Sequence, residues 1–392
     1  MKKILFLPLL QMQSGHHQVA EAVMDLLINH TKDIIFKKID LLSYTNKSLE
    51  KMITNGYLKW IRYAPETYKL AYKSFFYVPP TKGHSFMWYE PLFLKKMEQL
   101  LAEEKPDLLV CTHAFPSYLI SRLKMKGKCD VPVINVYTDF FINSVWGREG
   151  IDVHFLPSQQ VKENLLTKYQ IPKQRLFVTG IPIHERITKK DVRKKIHNER
   201  PKILIAGGNS GLGGIAKLAD ELKRSTQIDY LVLCGKNRKL YDEILSWDLA
   251  HIKPLPYLSS RTEMNSIYEA VDAIMTKPGG VTISEALKKQ LPIFVHSTLP
   301  GQEEINLHYL KDKELAFELD QKLPLEKQLL NVLLDADKMN CWEQAVHSYQ
   351  KGIELDNPES MLGVISAILD QKTSSLQTGV VGQSKVFQSA GA

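Results

Sequence analysis

The sequence predicts an α/β protein of two doubly wound, Rossmann-like domains facing a cleft. Three observations lead there. Short apolar runs alternate with helical patterns, and they do so in two successive series. A charged, polar stretch separates the two series. Glycine-rich turns follow apolar runs and open helices, which is where open α/β sheets bind ligands.

The first series has its apolar runs at 4–10, 34–39, 108–112, 133–137, 153–156 and 176–179. Run 4–10 is continuously apolar, as a parallel strand covered on both faces requires. Val19, Val23, Leu26 and Leu27 then recur at helical spacing. The turn between them carries Ser14, Gly15, His16 and His17, at a helix N-terminus that favours anions. Residues 187–202 (ITKKDVRKKIHNERPK) read as a linker. The second series has runs at 203–206, 230–234, 273–275 and 293–295. The expected organisation is a domain over 1–186, the linker, a domain over 203–371 and a flexible Ser/Gly/Gln-rich tail over 372–392. The last helix is expected to pack back on the first domain.

Two motifs in the second series suit phosphate and sugar. KILIAGGNSGLGGIAKLADEL sets Gly207, Gly208, Gly211, Gly213 and Gly214 between a strand and a helix beginning near Ile215. No Gly-Lys-Ser/Thr closes it, so it is no Walker motif, and it is no clean GxGxxG. It still lets backbone approach an anion closely. AVDAIMTKPGGVTISEALKKQLPIFV repeats the arrangement: a strand ends at Thr276, Gly279 and Gly280 make the turn, and a helix starts near Val281. Glu285, one turn in, suits a pair of ribose hydroxyls. In STLPGQEEINLHYL, Gln302 and Glu303 put an amide beside a carboxylate, a natural grip on sugar hydroxyls. Asp335-Ala-Asp337 has the spacing of a metal-binding DxD but lies in a helical stretch, and no metal site is expected there.

Composition narrows the class. The chain has 392 residues, 44% hydrophobic and 24% charged, ordinary values for a globular protein with a normal core. Four scattered cysteines without a CxxC pair argue against a disulfide framework or zinc site and fit a reducing compartment. No apolar stretch approaches the roughly 20 residues of a membrane span. The N-terminal apolar run is read as a strand rather than a signal peptide, because Gln11, Gln13 and His16 end it and no small-residue cleavage site follows.

The net charge is +8, and residues 45–96 hold nine Lys/Arg against three acidic residues. Residues 57–93 also carry 12 of the 35 aromatics. Basic residues interleaved with aromatics suit an anionic membrane surface or a single-stranded nucleic acid. No nucleic-acid recognition motif accompanies them, so nucleic acid is not expected as a partner. Tyr68, Tyr72, Phe75 and Phe76 are spaced along one helix face beside Lys69 and Lys73, the pattern of an interfacial helix. With Tyr57, Trp60 and Trp88 they form the expected membrane contact.

TKPGGVTISEAL, LPIFV and PGQEEIN together resemble the donor-site signature of family 28 glycosyltransferases, specifically the monogalactosyldiacylglycerol synthase and processive diacylglycerol glucosyltransferase type. The SGHH turn, VYTDFFINSVW, VTGIPIHERI and AGGNSGLGGI extend the resemblance over nearly the whole chain before the tail. It implies the two-domain GT-B architecture, with a lipid acceptor on the N-terminal domain and a UDP-sugar on the C-terminal one. It implies an inverting transfer of glucose or galactose to diacylglycerol or another lipid acceptor, by a peripheral enzyme on the cytoplasmic face of the membrane, with no cofactor and no obligatory metal. The implied UDP-sugar contacts are Gly15, Gly207, Gly208, Ser210, Gly211, Leu212, Thr276, Lys277, Gly279, Gly280, Val281, Glu285, Gln302 and Glu303. The candidate general bases are His16 and Asp139. Members of the family carry further glycines where Gln13 and Ser14 stand, and a His where Asn143 stands before Trp146. A UDP-sugar epimerase or a non-catalytic nucleotide-sugar-binding protein would use the same donor domain.

Overall fold

The computed structural model describes residues 1–9, 14–45, 63–72, 90–189, 200–207 and 218–370, with positions 52, 55–56 and 59–60. Of the expected contacts, Gly208, Ser210, Gly211, Leu212, Tyr57, Phe75, Phe76 and Trp88 lie outside the described residues, as do most of the expected linker and the whole tail.

Two six-stranded, all-parallel sheets form the two domains. The N-terminal sheet comprises β1 (Lys2–Leu7), β2 (Ile34–Lys38), β3 (Leu108–Cys111), β4 (Val133–Val136), β5 (Val153–Leu156) and β6 (Leu176–Val178), in the order β2-β1-β3-β4-β5-β6. The C-terminal sheet comprises β7 (Lys202–Ala206), β8 (Asp229–Leu233), β9 (Ile252–Leu255), β10 (Ala273–Thr276), β11 (Ile293–Val295) and β12 (Phe317–Glu318), in the order β12-β11-β10-β7-β8-β9. The order reverses between β1 and β3 in the first sheet and between β7 and β10 in the second. Those two switch points are where such sheets hold ligands.

Burial explains the continuous apolar runs. Ile4 and Phe6 enter one core cluster with Val110, Ile134 and the C-terminal sheet, whereas Leu5 and Leu7 enter another with Leu109 and Cys111. Successive residues point to opposite faces, and both faces are covered. β1 ends at Leu7, short of the expected 4–10, because Pro8 has no N–H for the ladder. β9 and β12 are strands that the sequence reading did not pick out. Both are edge strands, one containing Pro254 and the other only two residues long, so neither shows an apolar run.

The C-terminal segment returns to the first domain. Tyr349 donates its hydroxyl to the Pro157 carbonyl at 3.1 Å, and the Glu354 carboxylate accepts from Val178 N at 3.0 Å and from Lys162 at 2.5 Å. The four cysteines are all free thiols.

Two expected membrane contacts are corrected. In the helix Pro65–Tyr72, Tyr68 and Tyr72 are buried rather than turned to a lipid surface. Tyr72 covers Gly301, where an added Cβ would fall 2.9 Å from the ring, and Lys69 pairs with Glu304 at 2.6 Å. An aromatic i, i+4 face docks on a neighbouring domain by the same periodicity that it would use on lipid. Trp60, Tyr63 and Leu70 are exposed apolar residues of this segment.

Candidate active site

The two switch points face each other. Helix Gly15–His30 starts after β1, and helix Gly280–Lys288 starts after β10. A Cβ on Gly15 would lie 3.7 Å from Val281 Cγ2, so the two helix N-termini meet across the cleft. Gly280 makes the closest approach: a Cβ there would fall 2.1 Å from the Thr138 carbonyl oxygen and 2.7 Å from Ile181 Cδ1. Only glycine permits that contact. The Gly279 N–H closes back on the Lys277 carbonyl at 2.9 Å. The N–H groups of Gly280, Val281 and Thr282 are thus the first-turn donors with no intrahelical carbonyl to bond. Two N-terminal dipoles converging on one space make it anion-favouring.

On the N-terminal side, His16 Nδ1 lies 2.9 Å from the Thr112 carbonyl and 2.8 Å from Thr138 Oγ1. A carbonyl only accepts, so Nδ1 carries the proton and Nε2 keeps its lone pair. Nε2 has no hydrogen-bond partner among the described residues. Burial lowers the His16 pKa to about 4, with the Thr112 bond opposing, so the ring is neutral near pH 7. His113 stands edge-on to His16, with ring centroids 4.6 Å apart.

Asp139 is held differently. Its Oδ1 accepts from Asn306 Nδ2 at 2.9 Å, and its Oδ2 accepts from the Gln302 amide and, at 3.5 Å, from Thr138 Oγ1. Burial raises its pKa to about 6, against the pull of these hydrogen bonds. Asn306 also accepts from Phe140 N at 3.0 Å and donates to the Pro278 carbonyl at 3.1 Å. Asp139 and Asn306 therefore form a clasp between the domains.

Glu285 is buried and accepts from the Tyr268 hydroxyl at 2.7 Å through Oε2, leaving Oε1 for a ligand. Burial raises its pKa, and the bond to Tyr268 opposes. With Val281 it lines a cavity of about 300 Å³, closed by His17 and Gln18 from one domain and Tyr257 and Arg261 from the other. Tyr257 and Arg261 were missed from sequence. They follow β9, itself unseen, and no glycine marks their turn. A second cavity, of about 280 Å³, lies on an adjacent face of helix Gly280–Lys288 and is lined largely by apolar side chains.

The other expected contacts divide. Gly207 is buried at the end of β7. The Thr276 hydroxyl donates to the Ala206 carbonyl at 3.0 Å, so its proton ties β10 to β7. Lys277 faces Glu303 and His296 electrostatically. Glu303 accepts from Leu299 N at 2.5 Å with one oxygen. Asn143 Oδ1 accepts from Val145 N two residues on, an Asx turn that shapes the loop before buried Trp146. Asp335 caps the helix Ala336–Lys351, accepting from Asp337 N and Lys338 N, which accounts for the Asp-Ala-Asp spacing.

Residues 16–183 match the family described as monogalactosyldiacylglycerol (MGDG) synthase. An uncharacterized glycosyltransferase, YkoN, of Bacillus subtilis (strain 168) is 43% identical over 319 residues, covering 81% of this chain and 84% of its own. A processive diacylglycerol beta-glucosyltransferase of Bacillus pumilus (strain SAFR-032) is 26% identical over 360 residues, covering 88% and 91%. Among solved structures, MurG of Acinetobacter baumannii superposes with a TM-score of 0.58 at 14% identity, over 94% of this chain and all of that one, a likeness of fold. The architecture is GT-B, and the chain belongs to the family 28 glycosyltransferases, in the group of the monogalactosyldiacylglycerol synthases and processive diacylglycerol glucosyltransferases.

Proposed function

We propose that this glycosyltransferase moves a hexose, glucose or galactose, from its UDP conjugate to a hydroxyl of diacylglycerol or a related glycolipid, with inversion, at the cytoplasmic face of a membrane. The observation that carries this reading is the meeting of two helix N-termini from opposite domains, with an open imidazole nitrogen on the N-terminal side. The relatives named as diacylglycerol glucosyltransferases support the acceptor class.

In this reading uridine occupies the cavity beside Glu285, whose Oε1 takes the ribose hydroxyls. The diphosphate lies before the N–H groups of Gly280, Val281 and Thr282, with Lys277 adding positive charge, and the hexose reaches toward Gln302 and Glu303. As the bond from C1 to the phosphate oxygen breaks, its electron pair goes to the β-phosphate. The oriented N–H groups meet that growing charge without an obligatory metal. The acceptor oxygen attacks C1 from the opposite face, and its proton passes to His16 Nε2. His16 suits this role better than Asp139, because both oxygens of Asp139 already accept from C-terminal amides.

The acceptor is a lipid, so the enzyme must reach a bilayer. Among the described residues no helix is long and apolar enough to cross one. Exposed Trp60, Tyr63 and Leu70 beside Lys59 support peripheral attachment to an anionic surface.

The test is thin-layer chromatography of lipids after incubation with UDP-glucose or UDP-galactose and diacylglycerol liposomes. A new glycolipid that requires both donor and diacylglycerol is expected. Interconversion of UDP-sugars without lipid product, or UDP binding without turnover on any lipid, would overturn the reading.

A further inference from the structure

His113 has no place in the mechanism above, yet its ring stands against the proposed base. It follows β3, directly across the first switch point from the turn that carries His16. It is also the N-cap of helix Ala114–Met125, where its Nδ1 accepts from Phe115 N at 3.1 Å. A backbone N–H only donates, so Nδ1 must present its lone pair and the ring proton sits on Nε2. The neighbouring His16 is fixed in the opposite tautomer by the Thr112 carbonyl. The adjoining rings thus present an accepting Nε2 on His16 and a donating Nε2–H on His113. The His113 ring is half-buried, and its Nε2 has no hydrogen-bond partner among the described residues. Burial holds both rings neutral, so the pair keeps this polarity near pH 7.

We propose that His113 is a second acceptor-site residue, whose Nε2–H donates to an oxygen on the carbon next to the reacting hydroxyl while His16 Nε2 receives that hydroxyl's proton. A glycerol backbone or a sugar offers such neighbouring oxygens, and two side chains of opposite polarity would select which hydroxyl meets the base. The ligand chemistry is a vicinal oxygen pair, one member of it a free hydroxyl. This inference rests on the acyl-glycerol acceptor of the proposed function.

His113→Ser separates the two roles of the residue. Serine is a good N-cap, so Phe115 N stays satisfied, but the ring donor is lost. The melting temperature and UDP affinity are expected to match the wild type, while the acceptor KM rises about 3- to 10-fold, the worth of one hydrogen bond. His113→Asn, another good cap, serves if the serine variant folds poorly. A capped, folded variant with the wild-type acceptor KM and kcat would overturn the proposal. Imidazole ¹⁵N NMR of the full chain gives a readout that does not depend on turnover. The expected spectrum has His16 protonated on Nδ1 and His113 on Nε2, and the opposite tautomer in either ring would overturn the proposal. If the wild type glycosylates no lipid, the functional reading fails, and the tautomers still decide whether the donor–acceptor pair exists.

Discussion

Replacing Gly280 with alanine tests the geometry of the cleft directly. On helix propensity alone the change should stabilise the protein, by up to about 1 kcal/mol in a helix interior. The structure reverses the sign. The new Cβ would fall 2.1 Å from the Thr138 carbonyl oxygen, and the gap must open by about 1.3 Å to reach an ordinary 3.4 Å contact. The obstructing atom is backbone, so no side-chain rotation relieves it. Overpacking of this kind costs about 1–3 kcal/mol. In a domain of this size that corresponds to a fall of roughly 2–12 °C in melting temperature. Thr138 also holds His16 through Oγ1, so the same displacement moves the proposed base. A shift near 1 Å at a reacting group can lower turnover on the order of 10²-fold. The assays are a thermal melt and lipid glycosylation at saturating donor. Gly279→Ser is the stability control: its Cβ meets nothing within 4 Å, and serine caps a helix well, so its melt should match the wild type. A Gly280→Ala protein with wild-type melting and turnover would refute the argument that this glycine sets the distance between the domains.

Three further outcomes are expected. Glu285→Gln keeps a partner for the buried Tyr268 hydroxyl but removes the charge offered to ribose, so UDP affinity measured by calorimetry should fall about 3- to 30-fold with little change in stability; unchanged affinity would take Glu285 out of the site. Burial lowers His154 to about 3 and His16 and His296 to about 4, from 6.5. Depressed values give stability that is present above pH 6.5 and lost as pH falls from there to the depressed value, about 3–5 kcal/mol for each such histidine. Asp139, raised to about 6, works in the opposite sense, losing its contribution as pH rises from 3.8 through 6, and Glu285 and Glu303 are raised likewise. But His17, His113 and His184 are also lowered, so three carboxyls stand against six histidines. Urea unfolding midpoints that do not fall between pH 7.5 and 5 would contradict this balance. Finally, Tyr63→Ser with Leu70→Ser alters exposed residues, so the fold should hold while flotation with anionic liposomes weakens; undiminished flotation would move the membrane contact elsewhere.

Much of the fold was legible because parallel strands buried on both faces leave an unmistakable apolar run, as at Ile203–Ala206 and Ala273–Met275. Edge strands β9 and β12 lack that burial, and with β9 went the turn that carries Tyr257 and Arg261. Gly15, Gly280 and Glu285 were readable because strand–glycine–helix junctions are local. Partnerships between distant residues were not. Nothing near Asp139 in sequence announces that its donors come from Gln302 and Asn306, more than 160 positions away. The spacing of Tyr68 and Tyr72 gave a correct helix face but could not say whether lipid or Gly301 lies against it.

His16 and Asp139 entered as rival bases, but the hydrogen bonds make them parts of one device. Asp139 Oδ2 accepts from Thr138 Oγ1, and Thr138 Oγ1 in turn lies at His16 Nδ1. A hydroxyl that donates toward a carboxylate turns its lone pairs to the imidazole N–H. The carboxylate therefore helps to keep the His16 proton on Nδ1 and the lone pair on Nε2. The donors that fix Asp139 come from the helix Gln302–Asp312, and the contact that fixes the Thr138 backbone comes from Gly280. Both belong to the domain opposite His16. Removing either of these contacts would free the Thr138 hydroxyl to turn and leave the His16 tautomer to the Thr112 carbonyl of its own domain. The setting of His16 is thus shared between the domains: its own supplies the Thr112 carbonyl, and the opposite one holds Thr138 against the ring. For the same reason, the effects of substitutions at His16, Thr138 and Asp139 should not add.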